Sequence, residues 1–567
     1  MTSEPRPAPF RMPERLFAEL AAGGGSAEAV DFLVRGERAR RLLLLRTLLD
    51  RLDGLSTPLT PAREAWQVVK EAAERAPEAV DRLLVAPTTG GWIAHMLRRV
   101  HGTAMGPPVW AEAGHLCALA VTASLRAGTD AELRVALTDG GLHLPGLGLA
   151  VLPDARRGTA VGRARVHTGL LTLSGPGADG RTTSMTCRPA TQPLATAATA
   201  GAPAGDPRWL PLRTLTHRTP EGAVAIPLDD LDPYRDLDDP IPPDRLDAEE
   251  AEAWQRLFEE AAAILAAPGG SGPGRLDPAW IRTIVPWGRT AVTPPAPPTV
   301  VVSASSGDSF GLMVISRPAT ALALAETLVH EVQHSKLGAL LHLFPLLDDD
   351  REERYYAPWR PDPRHLTGLL HGAYAFTAVA GYWRDRMAEP HHADVAAYHF
   401  ALRRLQSRLV VRTLLTSGRL TAPGRRLVTG LARTLDAWLR EPVAPDALAR
   451  ARTAAALHRT EWRLRNVAPG PGDTPALPRL RPDREHWPDR RTQAFAVRPA
   501  APRTADEHLA AADPATALAR YADALAGHPA DPHLLAGWIV ARAAREPGPA
   551  SRRLLARPEL LQPLPSG

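Results

Sequence analysis

Proline and glycine limit the length of every regular element in this chain more than any other feature does. Proline occupies 57 and glycine 44 of the 567 positions, and both residue types interrupt helices and strands. A chain of this length also exceeds what one hydrophobic core supports, so we expect roughly two to four domains joined by long loops. The hydrophobic content of 44% and the charged content of 23% are ordinary for folded proteins and exclude global disorder.

The spacing of the apolar residues predicts an α+β fold. The N-terminal and central part is strand-rich, a largely helical half follows, and the chain ends in a helical hairpin. We expect this order because short alternating runs give way to long amphipathic segments. The predicted domains are an N-terminal helical region (1–85), an α+β domain (86–465), a Pro/Arg-rich linker (466–504) and a tetratricopeptide-like helical hairpin (505–567). In the second half, helices are predicted roughly over 321–345, 366–388, 391–419 and 424–464.

The charge and the cysteine content limit the kinds of partner and metal site that we expect. The net charge is only +5, and Lys70 and Lys336 are the only lysines, so the calculated pI of 9.5 reflects arginine. No basic run alternates with aromatic residues, which argues against a nucleic-acid partner. No apolar run is long enough for a membrane span, and the start has no signal-peptide pattern, so we expect a cytoplasmic protein without a membrane partner. Cys117 and Cys187 are too few and too far apart for a zinc ribbon.

The strongest chemical signal is the pattern HExxH in the segment LVHEVQHSKLGALLHL. It consists of His330, Glu331 and His334, inside a predicted helix. Residues four apart lie one turn apart on the same helix face, so the two histidines can hold one metal ion while the glutamate lies beside it. The alternative is a chance match, because the chain contains 19 histidines.

A metal held in this way needs a third protein ligand. The metzincin continuation HxxGxxH is absent, because Leu337 and Leu340 occupy the glycine and histidine positions. Glu352 and Glu353 could serve as in gluzincins, but they lie in a stretch that looks like a solvated loop. We favour His371, at the start of the next amphipathic helix, as the third metal ligand, with a structural histidine as the alternative.

The segment YYAPWRPDPRHL between the two helices is the candidate for binding a carboxylate. Arg360 in this proline-stiffened loop could pair with both oxygens of a carboxylate near the metal. From the spacing alone, a surface loop that is packed by Trp359 and carries solvated arginines is the better interpretation.

The run from His330 to about Trp383 resembles the HEXXH motif domain proteins of actinobacterial ribosomal-peptide (RiPP) gene clusters. These are related to the 2-oxoglutarate-dependent HExxH domains that are fused to radical SAM peptide-modifying enzymes. The resemblance covers about 55 residues closely and extends more weakly over about 86–465. The chain has no cysteine-rich radical SAM motif, so the resemblance implies a stand-alone version of the domain.

The resemblance implies iron(II)- and 2-oxoglutarate-dependent β-hydroxylation of a precursor peptide, on a fold distinct from the cupin barrel. It transfers His330, Glu331 and His334 directly, and His371 and Arg360 as positions inside the similar segment. Glu331 would be the catalytic residue, the three histidines would be the metal ligands, and Arg360 would bind the cosubstrate. The implied partners are the precursor peptide and a radical SAM maturation enzyme.

Two other functions remain open from the residues alone. In a zinc-dependent peptidase or hydrolase, the metal would polarise a carbonyl group and activate water, and Glu331 would be the general base. In a non-catalytic peptide-binding protein, the strand-rich half would hold a peptide and the HExxH pattern would be inert.

Overall fold

The computed structural model describes residues 11–190, 194–195, 208–219, 222–237, 239–266, 272–287, 303–468, 480–481, 487, 489 and 491–561. The chain forms two compact units, each assembled from segments that are distant in sequence. The sheet unit comprises Asp31–Pro268 and Leu276–His342, and the helical unit comprises Met1–Val30, Gly269–Arg275 and Leu343–Gly567. The α+β prediction is confirmed, whereas the division into the four predicted regions stays a prediction.

The sheet unit begins with helices. Its helices are α2 (Ala27–Leu52, which starts in the helical unit), α3 (Ala62–Arg75), α4 (Pro77–Leu84), α5 (Pro87–Val100), α6 (Val109–Ala113), α7 (His115–Ala127), α8 (Ala248–Leu265) and α9 (Ala321–Leu343). Helix α7 is buried along almost its whole length and packs on the strand that follows it. Gly128, in a left-handed conformation with φ of 66°, ends this helix and turns the chain into that strand.

A seven-stranded antiparallel sheet packs on α7. Its strands are β1 (Ala131–Thr138), β2 (Gly141–Leu144), β3 (Gly148–Val151), β4 (Thr159–His167), β5 (Leu170–Pro176), β6 (Thr182–Cys187) and β8 (Trp209–Pro211), in the order β6-β5-β4-β1-β2-β3-β8. Strand β1 alternates as the sequence predicts, with Leu133, Val135 and Leu137 buried. One face of the sheet therefore supplies much of the core of this unit.

A second, six-stranded sheet leads to the HExxH helix. It contains β7 (Leu194–Ala195), β9 (Arg213–Thr219), β10 (Gly222–Leu228), β11 (Thr283–Pro286), β12 (Ser303–Ala304) and β13 (Leu312–Ile315), in the order β12-β13-β11-β10-β9-β7. Strands β10, β11 and β13 run parallel. All four residues of β13 are buried, as expected for an inner parallel strand. The sequence also predicts a strand over TVVVSAS, and the first four residues of that run (299–302) lie outside the described residues.

The helical unit contains α1 (Glu14–Ala21), α10 (Leu366–Arg386), α11 (Ala393–Thr416), α12 (Ala422–Leu439), α13 (Pro445–Asn466), α14 (Arg491–Ala494), α15 (Ala505–Ala510), α16 (Pro514–Gly527), α17 (Pro532–Arg545) and α18 (Pro549–Ala556). The single helix predicted over 424–464 is wrong, because α12 and α13 divide that range. Pro442 and Pro445 lie at the break, where a proline nitrogen cannot donate the hydrogen bond that a continuous helix requires.

The short segment 272–275 belongs to the helical unit and packs closely on α10. Gly274 has φ of +88°, and a Cβ atom there would lie 2.1 Å from the Tyr382 nitrogen. A Cβ atom on Gly381 would in turn lie 2.1 Å from the Pro273 carbonyl oxygen. Arg275 then pairs with Asp385 at 2.9 Å. Both glycines are needed because the two backbones approach too closely for any side chain.

The C-terminal hairpin packs on α13. Arg463 of α13 pairs with the buried Glu559 at 2.7 Å, and Arg491 joins Glu461 of α13 to Asp506. Part of the predicted linker, including 469–479, lies outside the described residues. Within the part of the chain that the structure describes, none of the helices is long and apolar enough to cross a membrane.

Candidate metal centre

Helix α9 is positioned by the buried strand before it and by a polar cap at its start. The Thr320 hydroxyl accepts a hydrogen bond from the Ala323 nitrogen at 3.2 Å, and the Thr320 carbonyl accepts one from the Leu324 nitrogen at 3.0 Å. These bonds satisfy amide groups that a helix start otherwise leaves without partners. Leu324 and Leu328 are fully buried, so packing fixes the rotation of the helix about its axis.

This rotation brings the three HExxH side chains together. The Nε2 atoms of His330 and His334 lie 3.0 Å apart, and their rings meet edge to face with centroids 4.7 Å apart. The nearer Glu331 oxygen, Oε1, is 4.0 Å from Nε2 of His330. One ligand atom from each residue lies within 4.8 Å of the other two. Among the described residues, this is the one group of three or more His, Cys, Asp or Glu residues that could hold a metal ion.

The glutamate of this cluster is buried and incompletely hydrogen-bonded. Glu331 is 1% exposed, and its Oε2 atom has no hydrogen-bond partner among the described residues. A buried carboxylate without a partner is costly, so this oxygen is placed to meet a cation, a proton or a bound molecule. Gln333, which is 2% exposed, also has an amide oxygen without a partner.

The remaining polar residues of α9 have structural contacts. Ser335 accepts a hydrogen bond from the Gly311 nitrogen at 3.3 Å, which ties the loop before β13 to the helix. Nδ1 of His342 lies 2.7 Å from the buried Glu37. Lys336 is 2% exposed, and burial lowers its pKa to about 7.

The donor set fits a transition-metal ion. Two nitrogens that each lie about 2.0–2.1 Å from one ion are roughly 3 Å apart at a right angle and slightly farther apart at the tetrahedral angle. The distance of 3.0 Å between the two Nε2 atoms agrees with either geometry. Imidazole and carboxylate ligands suit zinc and iron(II) alike, so this cluster fits both metals of the sequence prediction.

His371, the predicted third ligand, lies in the first turns of α10 in the helical unit. Burial, together with the charges of His365 and Arg364, lowers the pKa of His371 to about 4. The neutral imidazole, which is the form that binds metals, therefore predominates at neutral pH. Its assignment as a ligand stays a prediction.

The loop that contains Arg360 is fastened to α10. The Trp359 ring lies 4.7 Å from that of Phe376, and a Cβ atom on Gly372 would lie 2.1 Å from Cζ2 of Trp359. Arg360 is exposed, and its Nε donates to Asp362 at 3.0 Å. An incoming carboxylate would have to compete with Asp362 for this guanidinium, so the cosubstrate role of Arg360 stays a prediction.

Sequence reasoning missed a set of buried polar side chains on α11. His399, Arg403 and Ser407 are each less than 9% exposed, and they recur every four residues. Their spacing was visible, but a pattern of polar residues every fourth position is also typical of a solvent-exposed helix face. The burial of α11 by its neighbours, which the sequence does not specify, decides between the two interpretations.

No protein-family model matches this chain, and no curated protein matches it significantly.

Proposed function

We propose that this protein is a metal-dependent peptide-modifying enzyme, and specifically an iron(II)- and 2-oxoglutarate-dependent β-hydroxylase of a ribosomal precursor peptide. The observation that carries the metal assignment is the pair of Nε2 atoms 3.0 Å apart beside a buried carboxylate. The resemblance over 330–383 favours the oxygenase, and so does the absence of the metzincin continuation. The proposal keeps the cytoplasm as the location, and the precursor peptide and a radical SAM enzyme as partners.

The residues of the cluster would divide the work. His330 and His334 would bind the ion through Nε2, and their positions are fixed by the buried stripe of α9. Bound iron(II) would supply the redox chemistry that activates oxygen. Glu331 would hold a proton or orient a bound molecule at Oε2, which faces no competing donor in the described residues. The buried surroundings of Glu331 would also exclude water and strengthen each polar contact there.

A zinc-dependent hydrolase is the second candidate, and one observation favours it. Oε2 of Glu331, which has no hydrogen-bond partner among the described residues, would suit a general base that takes a proton from a metal-bound water. Glu352 and Glu353, the gluzincin-like alternatives, are both exposed. They lie on a loop that is held by ion pairs such as that between Arg354 and Glu352.

The test is anaerobic reconstitution of the full chain with iron(II), followed by oxygen, 2-oxoglutarate and candidate precursor peptides. We expect succinate from the wild type and none from His334→Ala. His342→Gln is the matched control on the same helix, because His342 contacts Glu37 and lies outside the metal cluster. Absence of succinate with every peptide, together with tightly retained zinc and peptide cleavage, would replace the oxygenase with the hydrolase.

A further inference from the structure

One face of α11 in the helical unit is polar, buried and incompletely hydrogen-bonded. His399, Arg403 and Ser407 are 5%, 8% and 0% exposed. Residues four apart on a helix are neighbours on one face. His399 and Ser407 therefore lie one turn to either side of Arg403.

Arg403 differs from the other buried arginines of the helical unit. Its Nη1 donates to the neutral Gln406 side chain at 3.0 Å, and its guanidinium lies over the Phe376 ring, 4.6 Å from the centroid. Within the described part of the chain, the buried Nε has no hydrogen-bond partner and no carboxylate lies within 4.0 Å of this side chain. The other buried arginines reach a carboxylate or a main-chain carbonyl; they are Arg386, Arg404, Arg450, Arg463 and Arg491.

The neighbours of Arg403 offer further unused polar atoms. Nδ1 of His399 and Oγ of Ser407 are buried and have no hydrogen-bond partner among the residues that the structure describes, and the same holds for Nε1 of Trp383. The Trp383 ring stacks on His399 with centroids 4.6 Å apart. The Arg403 Nε–H and the Trp383 Nε1–H can only donate, and a serine hydroxyl can donate. The charge of a buried cation among donors that lack partners is compensated only when an anion binds there.

The shape of the guanidinium selects the anion. Phe376 covers a face of the group, and Gln406 occupies Nη1 while its own amide donates to the Pro358 carbonyl at 2.7 Å. The edge formed by Nε and Nη2 remains available to a ligand. Two parallel N–H groups on this edge match the two oxygens of a planar carboxylate lying in the plane of the guanidinium.

We propose that Arg403, with His399 and Ser407 beside it, is a binding site for the carboxylate of a small organic acid. The site lies within the helical unit and requires no metal, so it can exist whether or not the proposed oxygenase function is correct. The carboxylate pairs with the Nε and Nη2 edge of Arg403 and accepts a further hydrogen bond from the Ser407 hydroxyl.

The experiment is calorimetric titration of the full-length protein, after removal of metal with EDTA, using succinate and 2-oxoglutarate as probes. We expect saturable binding that weakens at least about tenfold in Arg403→Gln, because a charge-assisted hydrogen-bond pair is lost. Arg408→Gln is the matched control on the same helix, since Arg408 pairs with Asp436 at the surface, and it should bind as the wild type does. Dimethyl succinate, which has the same shape without charge, should not bind.

Further arms separate the sources of the anion. A short peptide with a free C-terminal carboxylate, compared with its amide, tests for a peptide end in place of a free acid. Inorganic phosphate tests for a tetrahedral anion. If Arg403→Gln does not fold by circular dichroism, Ser407→Ala replaces it, and binding should weaken severalfold. Undiminished binding in the folded variant, tighter binding of phosphate, or no saturable binding by the wild type would overturn the proposal.

Discussion

At the scale of single residues, the burial of Glu331 affects both the stability of the protein and its proposed chemistry. Its carboxylate is buried beside two histidines, and one of its oxygens has no hydrogen-bond partner in the described part of the chain. Burial of such a group opposes folding. A cation bound in the cluster, or a proton transferred to the carboxylate, would offset this cost. Removing the charge without changing the shape should therefore separate stability from chemistry.

We predict that Glu331→Gln raises the stability of the metal-free protein by about 1 kcal/mol while it abolishes turnover. The amide is nearly isosteric, and both histidines stay, so metal should still be retained. Urea unfolding of the EDTA-treated protein, metal analysis and a succinate assay measure the three effects. A less stable variant that has also lost its metal would show that Glu331 is needed for the structure of the cluster.

A second prediction concerns the contact between the Arg360 loop and α10. In Gly372→Ala the new Cβ atom would lie 2.1 Å from Trp359, so the loop must shift, and we expect a loss of about 1–3 kcal/mol in unfolding free energy. Gly527→Ala is the control, because nothing lies within 4 Å of a Cβ atom there. Equal urea midpoints for the two variants would contradict the packing of Trp359 on α10.

Residue-scale prediction from the sequence works where helix geometry alone decides. The spacing of His330 and His334 was sufficient to predict that the two side chains share a helix face, because residues four apart do so in any environment. Arg403 shows the limit. Whether a buried arginine has a carboxylate partner depends on which elements pack around it, and residue spacing contains no such information.

At the scale of elements, prolines decided where the sequence prediction succeeded. The helix predicted over 366–388 spans Leu366–Arg386, whereas the range 424–464 contains two helices. The apolar spacing continues across Pro442 and Pro445, so the periodicity alone joined α12 to α13. The missing donor of a proline is a local constraint that overrides a continuous apolar pattern.

The docking of the C-terminal hairpin on α13 should depend on pH through His533. Burial lowers the pKa of His533, but hydrogen bonds to Asp506 and Glu461 outweigh it and raise the pKa overall. The stabilisation is therefore complete below the unfolded-state pKa and is lost as pH rises through the folded-state pKa. Asp506 has the opposite sign, because its pKa is lowered in the fold, so its contribution is lost in acid.

We expect hydrogen exchange in α17 to accelerate as pH rises from about 6 to 8.5, after correction for the intrinsic rate, because histidines titrate near this range. His533→Gln should flatten that dependence and leave α4, in the sheet unit, unchanged. A wild-type profile that is flat over this range, or an unchanged profile in the variant, would show that the charge of His533 does not hold the hairpin.

At the scale of the whole molecule, the composition and the apolar patterns were enough to predict the α+β class. They were not enough to predict which segments form each compact unit. Segment 269–275 joins the helical unit although sheet-unit residues flank it on both sides. Periodicity identifies an element and its buried face, but the partner that covers this face depends on three-dimensional fit.

The fold should persist without metal. The stripe that positions α9 is hydrophobic, with Leu324 and Leu328 fully buried, so its stability does not depend on the ion. We predict that EDTA removes activity but leaves the far-ultraviolet circular dichroism spectrum unchanged. Added zinc or iron(II) should then raise the melting temperature in a concentration-dependent way through binding to the native state. Loss of helical signal on chelation would mean that the ion is structural.

The close approach of Gly274 to α10 has a consequence for how this gene can be divided. The chain passes between the two units at four places, near residues 30, 268, 275 and 342. A fragment that starts after residue 342 would lack the segment that covers Gly381 and neutralises Asp385. A single recombination event could not transfer either unit to another protein, because each unit is assembled from separate segments of the chain. We therefore expect the function to require both units in one chain. In a library of truncated variants, activity would be lost through misfolding before the loss of functional residues could be detected.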